Sequence, residues 1–529
     1  MIISKRLLIS IILFFVIFCL LGIPFTHWWF YGADDFHALF LGYKTKGWKD
    51  LLYFFYEGHT NQGAGPSNFS QPIERTSFLS TYYRPFCLIF YAIEYWIYGL
   101  RGYFYHITAV FFHAANTVIL FNIFLFFTAS LPALLASLFF AFHPQIAYRF
   151  GAIVNLQYYV NVFLCLLLFL LFKRFLDTRK KLFYVLSCLL FMVSLFTRET
   201  IIILPGLLVF GTYLYEHKKE RYSFLHFFQN IWKSCKTTLG FWIVAVLFLA
   251  LRLFLYPLML TKGTQTFSLH NFLQAKMAEG KVFFYDFLTL SWMPWGRPVV
   301  RGIVVLVLIC LLVYFFVKNT HKIYVLFFLL CAAGMLWPAF VGPYSPRYFY
   351  EAYPFILCAF VILFSFSRIE SAWIKKIGLC VLSITVVGYA IFCYASFARR
   401  EKKMYTMSQA AYEFVSRPDV QGKSLCIIGW PLESFGDQCA PLFWILFDNP
   451  DLPVYCDSTT AIMQADSNVV TPTRWGNVIS NLFDRNYVDI RLIPGGARLI
   501  SQNSRKVFFT VNNSGYTLGE KIVHKQKFC

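Results

Sequence analysis

The sequence predicts an all-α, polytopic membrane domain of about eleven spans, followed by a small C-terminal α/β or β-rich domain outside the membrane. Three observations predict it. Of 529 residues, 58% are hydrophobic and only 14% are charged, whereas soluble domains run near about 45–50% and about 25%. The apolar residues gather in long runs, with Phe alone occurring 63 times, and that much apolar surface would drive a soluble chain to aggregate. The bases fall between those runs in short clusters: Lys5 and Arg6; Lys173, Arg174, Arg179, Lys180 and Lys181; Lys218, Lys219 and Arg221; Lys318 and Lys322; Lys375 and Lys376. Cytoplasmic loops collect Lys and Arg in this way. The formal net charge of +21 therefore reads as topology. The lipid bilayer is the expected partner, and nucleic acid is not.

A helix needs about 20 apolar residues to cross the hydrocarbon core. Runs that meet or approach this length are 7–25, 103–127, 131–142, 152–172, 182–196, 201–215, 239–258, 302–317, 323–341, 349–366 and 377–397. The first is expected to be an uncleaved anchor, because its apolar core is long for a signal peptide and no small-x-small site follows. The stretch 85–99 is apolar but short, carries Glu94 and is rich in Tyr and Trp. It is expected to lie in the outer interface and not to cross. With the N-terminus inside, this assignment keeps every basic cluster in the cytoplasm, whereas a crossing at 85–99 would invert every later loop. The outer regions are then 26–102, a loop containing 261–296 with an amphipathic 272–287, a short 342–347, and the whole tail after Ala398. No cytoplasmic loop is long enough to fold alone, so chemistry is expected outside.

The domain limits implied are 1–400 for the membrane part and 401–529 for the tail. The tail opens on a helical pattern (Tyr405, Tyr412, Phe414, Val415) and continues into runs at 424–430, 487–493 and 506–511, bounded by Pro, Gly and Asn. It shows no internal period. Of fourteen cysteines, most lie in apolar runs as small hydrophobes, and no CxxC pair occurs. Cys426, Cys439, Cys456 and Cys529 lie in the tail and can pair in an oxidising compartment.

The sharpest chemical feature is Asp34-Asp35, just past the first run. Such a pair also serves as ordinary loop charge or as a helix N-cap. Charged residues at the outer ends of other runs support a functional reading: Arg84 before Pro85, Arg198-Glu199 after the fifth run, and Arg347-Tyr348 at the start of the tenth. Ionisable groups at membrane depth are costly and face a cavity or a partner, although a single Arg there commonly snorkels to the interface. Several arginines on one side suit planar, multidentate recognition of phosphate. His106 and His113 lie seven apart on one helix face with Asn116, a pattern fitting interhelical hydrogen bonds better than a metal, since no HExxH or Cys/His cluster accompanies them. His143, before Pro144 and near Arg149 and Asn155, is expected at the mouth of a cavity.

In order, Asp34-Asp35, Tyr83-Arg84-Pro85, Tyr105-His106, His113 with Asn116, Phe142-His143-Pro144, and Arg198-Glu199 followed by Pro205 resemble the GT-C superfamily of protein O-mannosyltransferases and aminoarabinose transferases. They look closest to the branch whose eukaryotic members carry tetratricopeptide repeats. The resemblance covers about residues 1–215, with Pro346-Arg347-Tyr348 as a further match. No single motif is specific; their order and topology carry the likeness. It implies a GT-C-like membrane fold and transfer of a sugar from a polyprenyl-phosphate donor to an extracytoplasmic acceptor. It further implies a catalytic base at Asp34 first and Asp35 second, and a lipid phosphate held by Arg84 and Arg198 and joined by Arg347, with Glu199, Tyr348 and His143 lining the substrate site. Related enzymes leave room for a divalent metal, but no ligand set in this sequence supports one. Two departures stand out: Arg198 sits where many relatives have Lys, and the tail has no tetratricopeptide pattern.

The rival readings are a transporter or flippase, an O-antigen ligase or polymerase, and a scaffold without activity. A transporter would explain buried Arg and His but is expected to show repeated halves. A ligase would work on lipid diphosphates through an arginine-rich outer loop. The expected location is a bacterial cytoplasmic membrane with the site and tail outside, and the endoplasmic reticulum second. Sequons at Asn68 and Asn512 are too common to decide this. The sugar and the acceptor are not encoded in any motif.

Overall fold

The computed structural model describes residues 5–25, 33–57, 83–144, 152–216, 224–255, 310, 312–336, 347–366, 372–415, 424–430, 445, 454–458, 489–493, 496–500, 506–512 and 515–518. The helices are α1 (Lys5–Gly22), α2 (Ala33–Lys44), α3 (Trp48–Glu57), α4 (Pro85–Tyr98), α5 (Gly102–Phe124), α6 (Ser130–Ala141), α7 (Leu156–Thr178), α8 (Lys181–Thr197), α9 (Leu204–Glu216), α10 (Phe224–Thr237), α11 (Leu239–Leu255), α12 (Lys322–Met335), α13 (Arg347–Ser365) and α14 (Ala372–Val415). Short 3-10 turns at Ile153–Asn155 and Glu199–Ile203 lead into α7 and α9.

Among the described residues, six helices are long and apolar enough to cross a membrane, or seven if the pair α10–α11, bent by 67°, forms one span. Helices α4, α6, α8 and α12 are apolar but shorter. The expected run 302–317 falls largely outside the described residues, as do the outer segment 261–296 and its 272–287 helix.

The surface is that of a protein solvated by lipid. On α1, Ser10, Leu13, Ile17 and Leu21 turn inward while Leu8, Ile11, Ile12, Phe15 and Leu20 are exposed. On α14, Ile377, Val381, Ile384, Val387, Ile391 and Tyr394 are exposed at helical spacing, with Val386, Cys393 and Phe397 buried behind them. An outward apolar stripe several turns long is stable only against acyl chains.

The helices alternate in direction between two ends of the bundle. At one end Arg6 donates to the Asn122 side chain at 2.7 Å, tying the start of α1 to the end of α5. There also Lys173 lies 4.8 Å from the Phe126 ring, and Arg179 pairs with Glu216 at 2.6 Å. Arg179 closes α7 in the left-handed region (φ 57°), which lets the chain reverse into α8 within a few residues. Arg6, Lys173 and Arg179 thus share one end. At the other end Phe25, just past α1, packs on His106 of α5 and Phe397 of α14, with ring centroids 5.2 and 4.9 Å apart.

Helices α2, α3 and α4 cap this second end. The α2–α3 corner is fixed to α4 by Trp96 Nε1 donating to the Thr45 carbonyl at 2.6 Å, and Gly42 lets α2 approach the Tyr95 side chain. Phe55, Phe86 and Phe196 join α3 and α4 to the end of α8, with centroids 5.6–6.0 Å apart. Helix α4 has 14 residues, about 21 Å, against a hydrocarbon core of about 30 Å. Arg84, at its start, touches Glu199 beyond α8, and α5, which follows it, leads away to the Arg6 end. Both ends of α4 therefore lie at one end of the bundle, and 85–99 does not cross it.

In the tail, four strands order as β2-β1-β5-β6, from β1 (Ser424–Trp430), β2 (Val454–Ser458), β5 (Lys506–Asn512) and β6 (Gly515–Leu518). Strand β1 pairs parallel with β2 and β5, and β5 antiparallel with β6. Strands β3 (Asp489–Ile493) and β4 (Gly496–Ile500) form a separate antiparallel pair. Cys426 aligns with Tyr455 and Cys456 with Ile427, so these two cysteines are not cross-strand partners. Helix α14 runs unbroken through residue 400 and packs against β6, so no break in secondary structure marks the expected domain limit.

Candidate active site

Four segments meet at the capped end: the start of α2, the residue before α4, the start of α7, and the junction between α8 and α9. The start of α13 closes them from the side. Each is a helix terminus, where backbone groups are unsatisfied; the dipole favours the acids at the start of α2 and Arg198 at the end of α8, whereas Arg84 at the start of α4 depends on its carboxylate partner.

Asp34 and Asp35 occupy the first turn of α2. The side chain of Asp34 lies outside the described residues. Asp35 is fully buried, and its Oδ1 accepts the Val154 amide at 3.2 Å. It joins α2 to the turn that starts α7. Val154 also receives, on its carbonyl, the Tyr91 hydroxyl at 2.8 Å and Gln157 Nε2 at 3.1 Å.

Gln157 passes the network to Arg84. Its Oε1 accepts from Arg84 Nη1 at 2.9 Å, while Arg84 Nε and Nη2 donate to the two oxygens of Glu199 at 2.8 and 2.9 Å. This fork-to-fork pair is the strongest geometry open to Arg and a carboxylate. Burial disfavours the charged form of Arg84, but the facing Glu199 outweighs it and holds the pKa above its ordinary value. Pro85 at the first position of α4 needs no amide partner and leaves Arg84 extended toward Glu199.

Arg198 is placed differently. Its side chain is 1% exposed and its Nε lies 2.7 Å from Glu351 Oε1, itself 1% exposed. The Nε–H is not aimed at that oxygen, so the contact is coulombic and not a directed hydrogen bond. The guanidinium carbon sits 4.0 Å from the Tyr158 ring centroid and 5.4 Å from that of Tyr348. Its Nη1 and Nη2 donate no hydrogen bond to any described residue. Arg84 is committed on both edges of its guanidinium, whereas Arg198 has a described partner on its Nε edge alone.

Glu351 Oε1 also accepts from Asn161 Nδ2 at 2.8 Å and Thr200 Oγ1 at 3.1 Å. Ser194 donates in turn to Asn161 Oδ1. Glu351 Oε2 makes no hydrogen bond to a described residue and borders a small cavity lined by Asn161, Cys165, Met335 and Phe355. One residue earlier, Tyr350 faces the other way. His113 Nε2 lies 3.1 Å from the Ala141 carbonyl, which can only accept, so the neutral ring carries its proton there. Nδ1 then accepts from the Tyr350 hydroxyl at 2.9 Å, and Tyr350 accepts from Asn116 Nδ2 at 3.0 Å. The histidine pair is thus drawn into interhelical hydrogen bonding and ring packing, as their spacing predicted.

Of the expected site residues, the fold brings together Asp35, Arg84, Arg198, Glu199 and Tyr348. Arg347 starts α13, with its side chain outside the described residues. His143 is fully buried and enclosed by the Phe139, Phe349, Tyr353 and Tyr389 rings, with centroids 4.7–5.8 Å away, so it is a wall residue and does not stand at a mouth. The residues that the sequence reading missed are Gln157, Tyr158, Asn161 and Glu351. An acid inside an apolar run was a signal for Glu351; the others carry no charge. Among the described residues no group of three or more His, Cys, Asp or Glu is arranged to hold a metal.

No protein-family model matches the sequence. No curated protein matches it either. In structure the chain is similar to ArnT from Cupriavidus metallidurans bound to undecaprenyl phosphate, at 13% identity over 83% of this chain and 84% of that one, with a TM-score of 0.44. The apo state of that protein gives 9% identity over 93% and 97%, with a TM-score of 0.48. An Archaeoglobus fulgidus oligosaccharyltransferase, tethered to an acceptor peptide containing the NVT sequon, gives 11% identity over 76% of this chain and 59% of that one, with a TM-score of 0.36. Likenesses this distant transfer no residue role.

Proposed function

We propose that the chain is an inverting GT-C-type glycosyltransferase of eleven spans, moving a sugar from a polyprenyl-phosphate donor to an extracytoplasmic protein, lipid or glycan. The observation that carries this reading is Arg198, a buried guanidinium whose Nε side faces Glu351 and whose terminal nitrogens donate no hydrogen bond to any described residue. Glu351 already compensates its charge, and a guanidinium can engage a second anion through its terminal nitrogens. Phosphate matches the remaining two-nitrogen edge. Its position at the capped end, next to Glu199 and near Tyr348, and linked through Arg84, Gln157 and Val154 to the α2 start that bears the acidic pair, fits the order of motifs in the sequence.

In this reading the acceptor hydroxyl oxygen forms the new bond to the anomeric carbon as the bond from that carbon to the phosphate oxygen breaks. The bonding electrons pass to the phosphate, and Arg198 stabilises the charge that builds there. Asp34 takes the hydroxyl proton. Asp35, already spent on the Val154 amide, anchors the helix that presents Asp34. Arg84 serves as a clamp on Glu199 and so orients the segment before α9. One displacement without a covalent intermediate inverts the anomeric centre.

The test is sugar transfer by the full-length protein in liposomes loaded with polyprenyl-phosphate sugars. The wild type is expected to consume donor, and a variant carrying both Asp34→Ala and Asp35→Ala to lose that activity. Full activity in that double variant would sink the assignment. Donor that crosses the bilayer without being consumed would favour a flippase. Mass spectrometry of lipid-linked sugars accumulating in a deletion strain identifies the sugar.

A further inference from the structure

We propose that Glu351 is a positioning residue that grips Arg198 by its Nε edge, turns Nη1 and Nη2 toward the lipid phosphate, and thereby makes Arg at this position irreplaceable by Lys. The inference rests on the phosphate-binding role of Arg198 proposed above.

The grip is built from both sides. Glu351 Oε1 lies 2.7 Å from Arg198 Nε and is itself held by Asn161 and Thr200. Asn161 is oriented by Ser194, one turn before Arg198 on α8. The guanidinium carbon also lies 4.0 Å from the Tyr158 ring centroid and 5.4 Å from that of Tyr348. The neighbouring Tyr350 is hydrogen-bonded to His113, which ties the start of α13 to α5. Glu351 is thus fixed independently of any ligand, and the guanidinium is held on one edge only.

A guanidinium has two usable edges, and an ammonium has one head. The ammonium of an R198K variant would face two anions, Glu351 and the phosphate. The carboxylate, always present and 1% exposed, would capture it. Removing the carboxylate charge would release that ammonium to the phosphate. The consequence is sign epistasis: Glu351→Gln harms the wild-type protein and helps the R198K variant. A residue that only supports folding would make the two changes worse together than apart.

The experiment measures binding of a polyprenyl monophosphate to the full-length protein in nanodiscs, with the parent polyprenol as control. Arg198→Lys is expected to weaken binding by about tenfold or more, and Glu351→Gln alone by a few-fold, on the scale of single coupled contacts. The double variant R198K/E351Q is expected to recover most of the R198K loss. Asn161→Ala, which removes a hydrogen bond from Glu351 without changing either charge, is expected to weaken binding by a smaller factor. Thermal unfolding of each protein separates binding from folding, and gain in the double variant cannot arise from a lost fold. A double variant no better than R198K, or an R198K protein that binds like wild type, overturns the inference. If the wild type does not distinguish the phosphate from the polyprenol, the phosphate reading itself falls and this inference falls with it.

Discussion

Arg84 and Arg198 look alike in the sequence, each a base at the edge of an apolar run. Their partners separate them. Arg84 is satisfied by Glu199 and Gln157, and its side chain and that of Glu199 are 10% and 18% exposed. Arg84→Ala would remove the directed partner of Glu199 and leave it only the fields of Arg198 and Arg252, at a cost of about 1–3 kcal/mol. The expected outcome is a lower thermal midpoint, partly restored by adding Glu199→Gln. Arg198→Ala removes the cation facing the phosphate; donor turnover is expected to fall by about a hundredfold or more, on the scale of losing one transition-state donor. Asp35→Asn keeps a carbonyl oxygen for the Val154 amide, so a stable protein with substantial activity is expected. Complete loss would return the base to Asp35. The sequence exposed the charged members of this network because charge in an apolar run is rare. Gln157 and Asn161 were hidden because a neutral amide within a helix is unremarkable until its partner is known, and Asn161 meets Glu351 across 190 residues.

Among the elements, α2 and α4 set the site. Helix α2 carries the acidic pair and rests on α4 through Gly42, where an added Cβ would lie 2.3 Å from Tyr95 Cβ and 3.3 Å from the Tyr91 carbonyl. Gly42→Ala must push the helices apart, at about 1–3 kcal/mol. It is expected to lower both the unfolding midpoint and the activity. Gly378→Ala, with nothing within 4 Å of the new methyl, is expected to change neither. Helix α14 is the other decisive element. Its 44 residues extend about 66 Å, roughly twice the hydrocarbon core. The apolar window Lys376–Phe397 uses one part of that length, and the remainder carries the chain to the strands of the tail. Periodicity revealed the apolar part. The polar continuation was visible only as a weaker pattern at Tyr405–Val415, within the same helix.

For the whole molecule, sidedness is the prediction that matters. Arg6 and Arg179 lie at one end and the Asp35–Arg84–Arg198 network at the other, because the chain alternates through the bundle and α4 turns back. In a cysteine-free background, a cysteine at Lys181 is expected to be shielded from an impermeant thiol reagent in intact cells. One at Trp48, 73% exposed beside α4, is expected to react. Equal labelling of both would overturn the outward placement of the site. The sequence by itself determined the membrane class, the apolar helices among the described residues, and the order of motifs that resembles GT-C enzymes. These are properties of residues near one another in the chain, set by the need to match each segment to lipid or water. Only the tertiary structure decided which arginine is spent and which is open, that Asp35 is an anchor, and that Glu351 stands behind Arg198. Those choices depend on which helix termini meet, and buried charges take their roles from partners that packing alone supplies.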